Sequence, residues 1–135
     1  MNTLTPELLS VTLAATFTSI IWVPIILNRL TEMGPWKALK NPQPDVRPKA
    51  EWAYRLSNAH RNAIENLVVF APLATFVHML NLGNELTGIA CFAFVVARIV
   101  HAVIYTFGIP LFRTIAFAIG FGSQIILALR IFGVV

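Results

Sequence analysis

Three groups of polar side chains interrupt an otherwise apolar chain, and within each group the spacing gives a shared helical face. Asn58, Asn62 and Glu65 are separated by four and three residues, and Arg98, His101 and Tyr105 by three and four. Arg113 and Thr114 open the last apolar stretch. Arginines in such a setting bind anionic groups. Arg29, Arg61, Arg98 and Arg113 face Glu65 alone, and this surplus of positive charge asks for an anionic ligand. Each group also has a structural reading. Arg98 and Glu65 could form a buried ion pair, and Arg113 could snorkel from a helix end. His60 and His78 suit packing or interfacial roles, and Gln124 a hydrogen bond between helices. The single cysteine, Cys91, lies in an apolar run, so the sequence offers neither a disulfide nor a metal site.

The elements that must carry these groups follow from composition. Of 135 residues 57% are hydrophobic and 12% charged, with a mean hydropathy of +0.74, against about 25% charged in soluble domains. A soluble fold of this length could not hide so much apolar surface, so the chain reads as an all-α integral membrane protein. The net charge of +4 comes from basic residues in loops and at helix ends. They determine topology and do not form a nucleic-acid surface.

Four spans are expected, over residues 6–28, 51–80, 85–107 and 110–132, in one domain covering 1–135. Thr5, Pro6 and Glu7 make a helix start, and Leu8–Leu27 carries no charge. A signal peptide fits this stretch less well, because no basic residue leads it and Glu7 precedes it. Pro24 is a candidate kink. Residues 29–50 form a basic loop with Pro35, Pro42, Pro44 and Pro48, bracketed by the interfacial residues Trp36 and Trp52. The positive-inside bias puts that loop in the cytoplasm and both termini on the opposite side. Arg61, Asn62 and Glu65 then lie in the first turns of the second span. Tyr105 is near the cytoplasmic end of the third, and Arg98, 13 residues past Glu85, is about 20 Å along the axis. Polar residues from three helices thus converge in the cytoplasmic half of the membrane.

These residues resemble the MAPEG family, membrane-associated proteins in eicosanoid and glutathione metabolism. Ala59-His60-Arg61-Asn62-x-x-Glu65 is similar to the family's second-helix signature, Arg98-x-x-His101-x-x-x-Tyr105 to the third-helix pattern of the prostaglandin synthase branch, and Arg113-Thr114 to its catalytic arginine and following serine. Asn58 stands where many members of the family have an arginine, and Thr114 and Phe117 stand where that branch has serine and tyrosine. The resemblance implies a homotrimer of four-helix protomers, as in the bacterial-type members of an inner membrane, with glutathione as cosubstrate between neighbours. Arg29, Arg61, Asn62, Glu65, Arg98, His101, Tyr105 and Arg113 would line that site, with Arg113 and Thr114 catalytic. The implied activity is transfer of glutathione to a lipophilic electrophile, with peroxidase action on lipid hydroperoxides open to the same thiolate. The alternative is a non-catalytic module that holds an anionic lipid or another small thiol in an intersubunit basic pocket. A small drug exporter would be expected to carry a carboxylate in its first span, and Leu8–Leu27 has none.

Overall fold

The computed structural model describes residues 4–42 and 46–135. All regular structure among them is helical: α1 (Pro6–Ile20), α2 (Trp22–Met33), α3 (Pro35–Ala38), α4 (Glu51–Met79), α5 (Glu85–Phe107) and α6 (Pro110–Ile131). Four segments are long and apolar enough to cross a membrane, and α1 with α2 makes the first of them.

Thr5 caps α1, its side chain accepting from the Leu8 amide, and Pro6 opens the helix where a missing N–H costs nothing. The helix is interrupted at Ile21. Pro24 accounts for this, since it cannot donate to the Ile20 carbonyl and its ring crowds that group. The expected end of this span at residue 28 is too early. The helix runs on to Met33, so Arg29 belongs to the helix and the connection begins at Gly34. A charge marks where the apolar run stops, but a helix can continue into the headgroup layer. Here Asn28 donates to Glu32 across one turn at 2.9 Å. Gly34 ends it by adopting φ 77°, a backbone conformation suited to glycine, and Pro35 follows. The connection has one helical turn, α3, and is otherwise irregular through Pro42 and from Val46 to Ala50; Pro44 lies outside the described residues.

The other three spans fall within a residue of their expected bounds because their ends carry strong signals. Asn84 and Thr87 form a reciprocal capping box at the start of α5. Gly108, left-handed at φ 77° and ψ 31°, ends that helix, and Pro110 opens α6.

The core lies between α1, α4, α5 and α6. Phe70 and Phe94 stack with ring centroids 3.8 Å apart, surrounded by Ala14, Ala74, Val77, Ala90, Cys91, Val95 and Leu127, all buried. The many alanines let the helices approach closely, the usual device where lipid removes the hydrophobic drive for helix association. Cys91 is fully buried, as its apolar run implied. One end of the bundle is tied by side chains: Thr87 donates to Glu7 at 2.8 Å, Thr5 meets His78 at 3.2 Å, and Arg130 donates to the Leu82 carbonyl at 2.8 Å. Thr5 at the start of α1 and Arg130 near the end of α6 are therefore at the same end of the bundle, and the α2–α4 connection and the α5–α6 turn are at the other.

Phe94→Ala should open a cavity against Phe70 and lower stability by roughly 3 kcal/mol. Thermal unfolding of the detergent-solubilised protein should show a clearly reduced midpoint, whereas truncating the outward-facing Phe92 should leave it nearly unchanged.

Candidate functional site

Arg98 is buried in the bundle, 3% exposed. Its Nη1 donates to Asn62 Oδ1 on α4 at 3.1 Å, and its Nη2 lies 3.2 and 3.3 Å from the Ala116 and Phe117 carbonyls on α6. The guanidinium also rests between the Phe94 and Phe117 rings, 5.4 and 5.5 Å from their centroids. Its Nε is buried without a partner. Room for it exists because residue 120 is glycine: a Cβ there would collide with the guanidinium. The ion pair with Glu65 that the sequence left open does not form. Glu65 is exposed on the outer face of α4, with no cation at ion-pair distance among the described residues.

One and two turns beyond Arg98, α5 carries His101 and Tyr105. His101 is 5% exposed, and its ring centroid lies 5.5 Å from that of Tyr105. Arg113, near the start of α6, lies over the Tyr105 ring at 4.8 Å, a cation–π arrangement. The α5–α6 turn makes this possible, since the left-handed Gly108 reverses the chain in a few residues. Arg55 packs against that turn, where a Cβ on Gly108 would be 2.9 Å from its Nη1. Thr114 is exposed and donates to the Pro110 carbonyl at 3.3 Å.

A separate cavity of about 750 Å³ lies at the same end, between α2, α4 and the segment Val46–Lys49. Its size falls in the range of small-molecule sites. Arg29, Lys37, Arg47, Lys49 and Arg61 line it, with Tyr54, Ser57 and Asn58 as a polar wall. Glu32 is the only acid among the described lining residues, and its oxygens are taken by neutral donors: Asn28 Nδ2 and the Ala50 amide at 2.9 Å, and the Lys49 amide at 3.0 Å. Arg47 pairs with Glu51 at 2.6 Å and stacks on Tyr54 at 3.9 Å. Arg29, Lys37, Lys49 and Arg61 have no acidic partner among the described residues, and Arg29 Nε is buried without an acceptor.

The residues singled out from sequence thus fall into two sets within one chain. Arg29 and Arg61 share the cavity, while Asn62, Arg98, His101, Tyr105 and Arg113 form a connected edge along α4, α5 and α6. Glu65 joins neither. Sequence reasoning passed over Lys37, Lys49, Tyr54 and Ser57 as cavity residues. The signal for the two lysines is their place in a basic loop, which topology also accounts for.

Four long apolar helices that hold a buried arginine and a cation-lined cavity at one end define an integral, multi-pass membrane protein. The sequence model of the MAPEG family matches residues 8–133, and the chain belongs to that family. A search of curated proteins found no match.

Gly120→Ala should destabilise the folded protein by about 1–3 kcal/mol, because the new methyl must displace the Arg98 guanidinium from its acceptors. Gly122→Ala is the control, since nothing lies within 4 Å of a Cβ there. Thermal unfolding of the two variants side by side should separate them clearly.

Proposed function

We propose that the protein is a membrane-bound glutathione transferase in which an arginine activates the thiol for attack on lipophilic electrophiles. The observation that carries this reading is the cavity whose one carboxylate among the described residues is spent on amides, leaving Arg29, Lys37, Lys49 and Arg61 with no acid at ion-pair distance among those residues. Glutathione has two carboxylates and one ammonium at neutral pH, and Arg29 and Arg61 suit the carboxylates. Family membership supports the same ligand.

The Tyr105–Arg113 edge does not line this cavity in one chain, so the reading needs a second copy. In the proposed homotrimer, Arg113 and Tyr105 of one protomer face the Arg29–Arg61 cavity of the next. Glu65, unpaired on the outer face of α4, meets the peptide's amine. Asn62 is held by Arg98 through its Oδ1 and keeps its Nδ2 protons for a carboxylate. Arg98 and His101, both nearly enclosed, shape the site from behind. The orientation proposed from the basic loop places the site on the cytoplasmic face, and a bacterial inner membrane suits this topology.

The chemistry asked of Arg113 is modest. A thiol with pKa near 8.5 is mostly protonated at neutral pH, and lowering it by about two units takes roughly 3 kcal/mol, within reach of one close guanidinium in a poorly solvated site. The sulfur then attacks an electrophilic carbon arriving from the lipid. A C–S bond forms as the leaving group departs with its electron pair, or as that pair moves into a conjugated acceptor that takes a proton from water. Thr114 can donate to the thiolate once it releases the Pro110 carbonyl. The same thiolate attacking the terminal oxygen of a lipid hydroperoxide breaks the O–O bond, releases the lipid alcohol after protonation and leaves a sulfenic acid, which a second glutathione converts to the disulfide with loss of water; that would be the peroxidase activity.

Purified protein should bind glutathione and conjugate a generic electrophile. Arg113→Ala should abolish the thiolate absorbance of bound glutathione and reduce turnover by about 10²-fold or more, with affinity largely kept. Equal turnover in that variant would rule out the mechanism, and a co-purified phospholipid with no glutathione binding would favour the non-catalytic lipid-binding alternative.

A further inference from the structure

The acid inside the basic cavity is also what holds one of its walls. Glu32 stands in the last turn of α2, and it accepts from the backbone amides of Lys49 and Ala50 at 3.0 and 2.9 Å. Those amides precede α4, whose N-cap, Ala50, has no side chain that could cap the helix. The α2 carboxylate accepts from the amide of the cap residue and the one before it, not from the first-turn amides that a capping aspartate would take, and it stands at the positive end of the α4 dipole. Among the described residues these two bonds are the only hydrogen bonds joining segment 46–50 to α2. The segment is a strap across the cavity, and Arg47 and Lys49 on it line the interior.

We propose that Glu32 is a positioning residue for the cavity's anionic ligand: by fastening the strap to α2 it keeps Lys49 in place opposite Arg29 and Arg61. The inference rests on the glutathione reading for the identity of the ligand. Glu32 touches no substrate itself. Three neutral donors fix its position, and its remaining negative charge is set against the five cations that line the cavity. Its role is distinct from that of Arg113, which belongs to the other set of residues, so the two should separate in kinetics. Loss of the strap weakens binding, and loss of Arg113 weakens chemistry.

Glu32→Gln tests this with little change of shape, because a glutamine has one acceptor oxygen and would turn its NH2 toward one of the two amides. Glu32→Asp is the partial rescue, and Thr31→Ala, which removes only an exposed hydroxyl bond to the Asn28 carbonyl within α2 and lies outside the cavity lining, is the control. Three quantities are read in the full-length detergent-solubilised protein: amide exchange at Lys49 and Ala50, tryptic cleavage after Lys49, and the glutathione Kd with kcat. For Glu32→Gln the expected result is faster exchange and cleavage at the strap, a Kd raised about tenfold, equal to 1.4 kcal/mol, and a kcat at saturation within about twofold of wild type. Thr31→Ala should match wild type in all three. Unchanged strap exchange in Glu32→Gln would overturn the proposal, as would faster exchange with an unaltered Kd. Wild-type protein that binds no glutathione would instead overturn the functional reading, and this inference with it.

Discussion

A guanidinium inside hydrocarbon has no water to solvate it, so its acceptors must come from the protein. Arg98 meets that requirement with acceptors from two helices, the Asn62 side chain on α4 and the Ala116 and Phe117 carbonyls on α6, while it is itself anchored on α5. The requirement dictates the local packing. Gly120 leaves the space, and Phe94 and Phe117 supply ring faces on either side. Once α5 and α6 are locked at that level, the following turns bring Tyr105 and Arg113 together. One buried charge therefore organises the edge on which the proposed chemistry depends.

The same constraint governs the acids. Glu7, 3% exposed near the terminal end, takes a hydrogen bond from the Thr87 hydroxyl, and Glu32 takes its bonds from an amide side chain and two backbone amides. Glu51 serves Arg47 at 2.6 Å and Arg55 at 3.8 Å, and Glu65 and Glu85 lie exposed without a cation. Apart from Asp45, which is outside the described residues, no acid neutralises Arg29, Arg61, Lys37 or Lys49. The positive excess at the loop end is thus a property of how the carboxylates are used and does not follow from net charge alone. An anion entering the cavity would meet cations whose fields are not already cancelled.

Span number and most helix limits were legible because local signals and hydrophobic length agree there. Asn84 with Thr87, Gly108 and Pro110 act on their immediate neighbours, and such effects survive transfer from sequence to fold. The end of the first span was not legible in the same way. Its stop is Gly34, beyond a polar turn that looked like loop, and the Asn28–Glu32 bond that stabilises that turn serves a tertiary purpose, the anchoring of the strap. Glu32 drew no attention in the sequence because a lone acid in a basic loop has no periodicity to mark it.

Composition and spacing alone determined that the chain spans a membrane four times, that its polar residues gather toward one end, and that Asn62 and Glu65 share a face of one helix while Arg98, His101 and Tyr105 share a face of another. These follow from the 3.6-residue period and from the cost of polar groups in lipid, both local to a single helix. Which of Asn62 and Glu65 meets Arg98, whether Arg29 joins Arg61, and what the acids bind were decided only by the tertiary structure. Hydrogen bonds and ion pairs are made over about 3 Å, and a small rotation of one helix exchanges a partner for its neighbour one turn away. Rotation and separation between helices are set by packing over the whole bundle, and no segment of the sequence contains them.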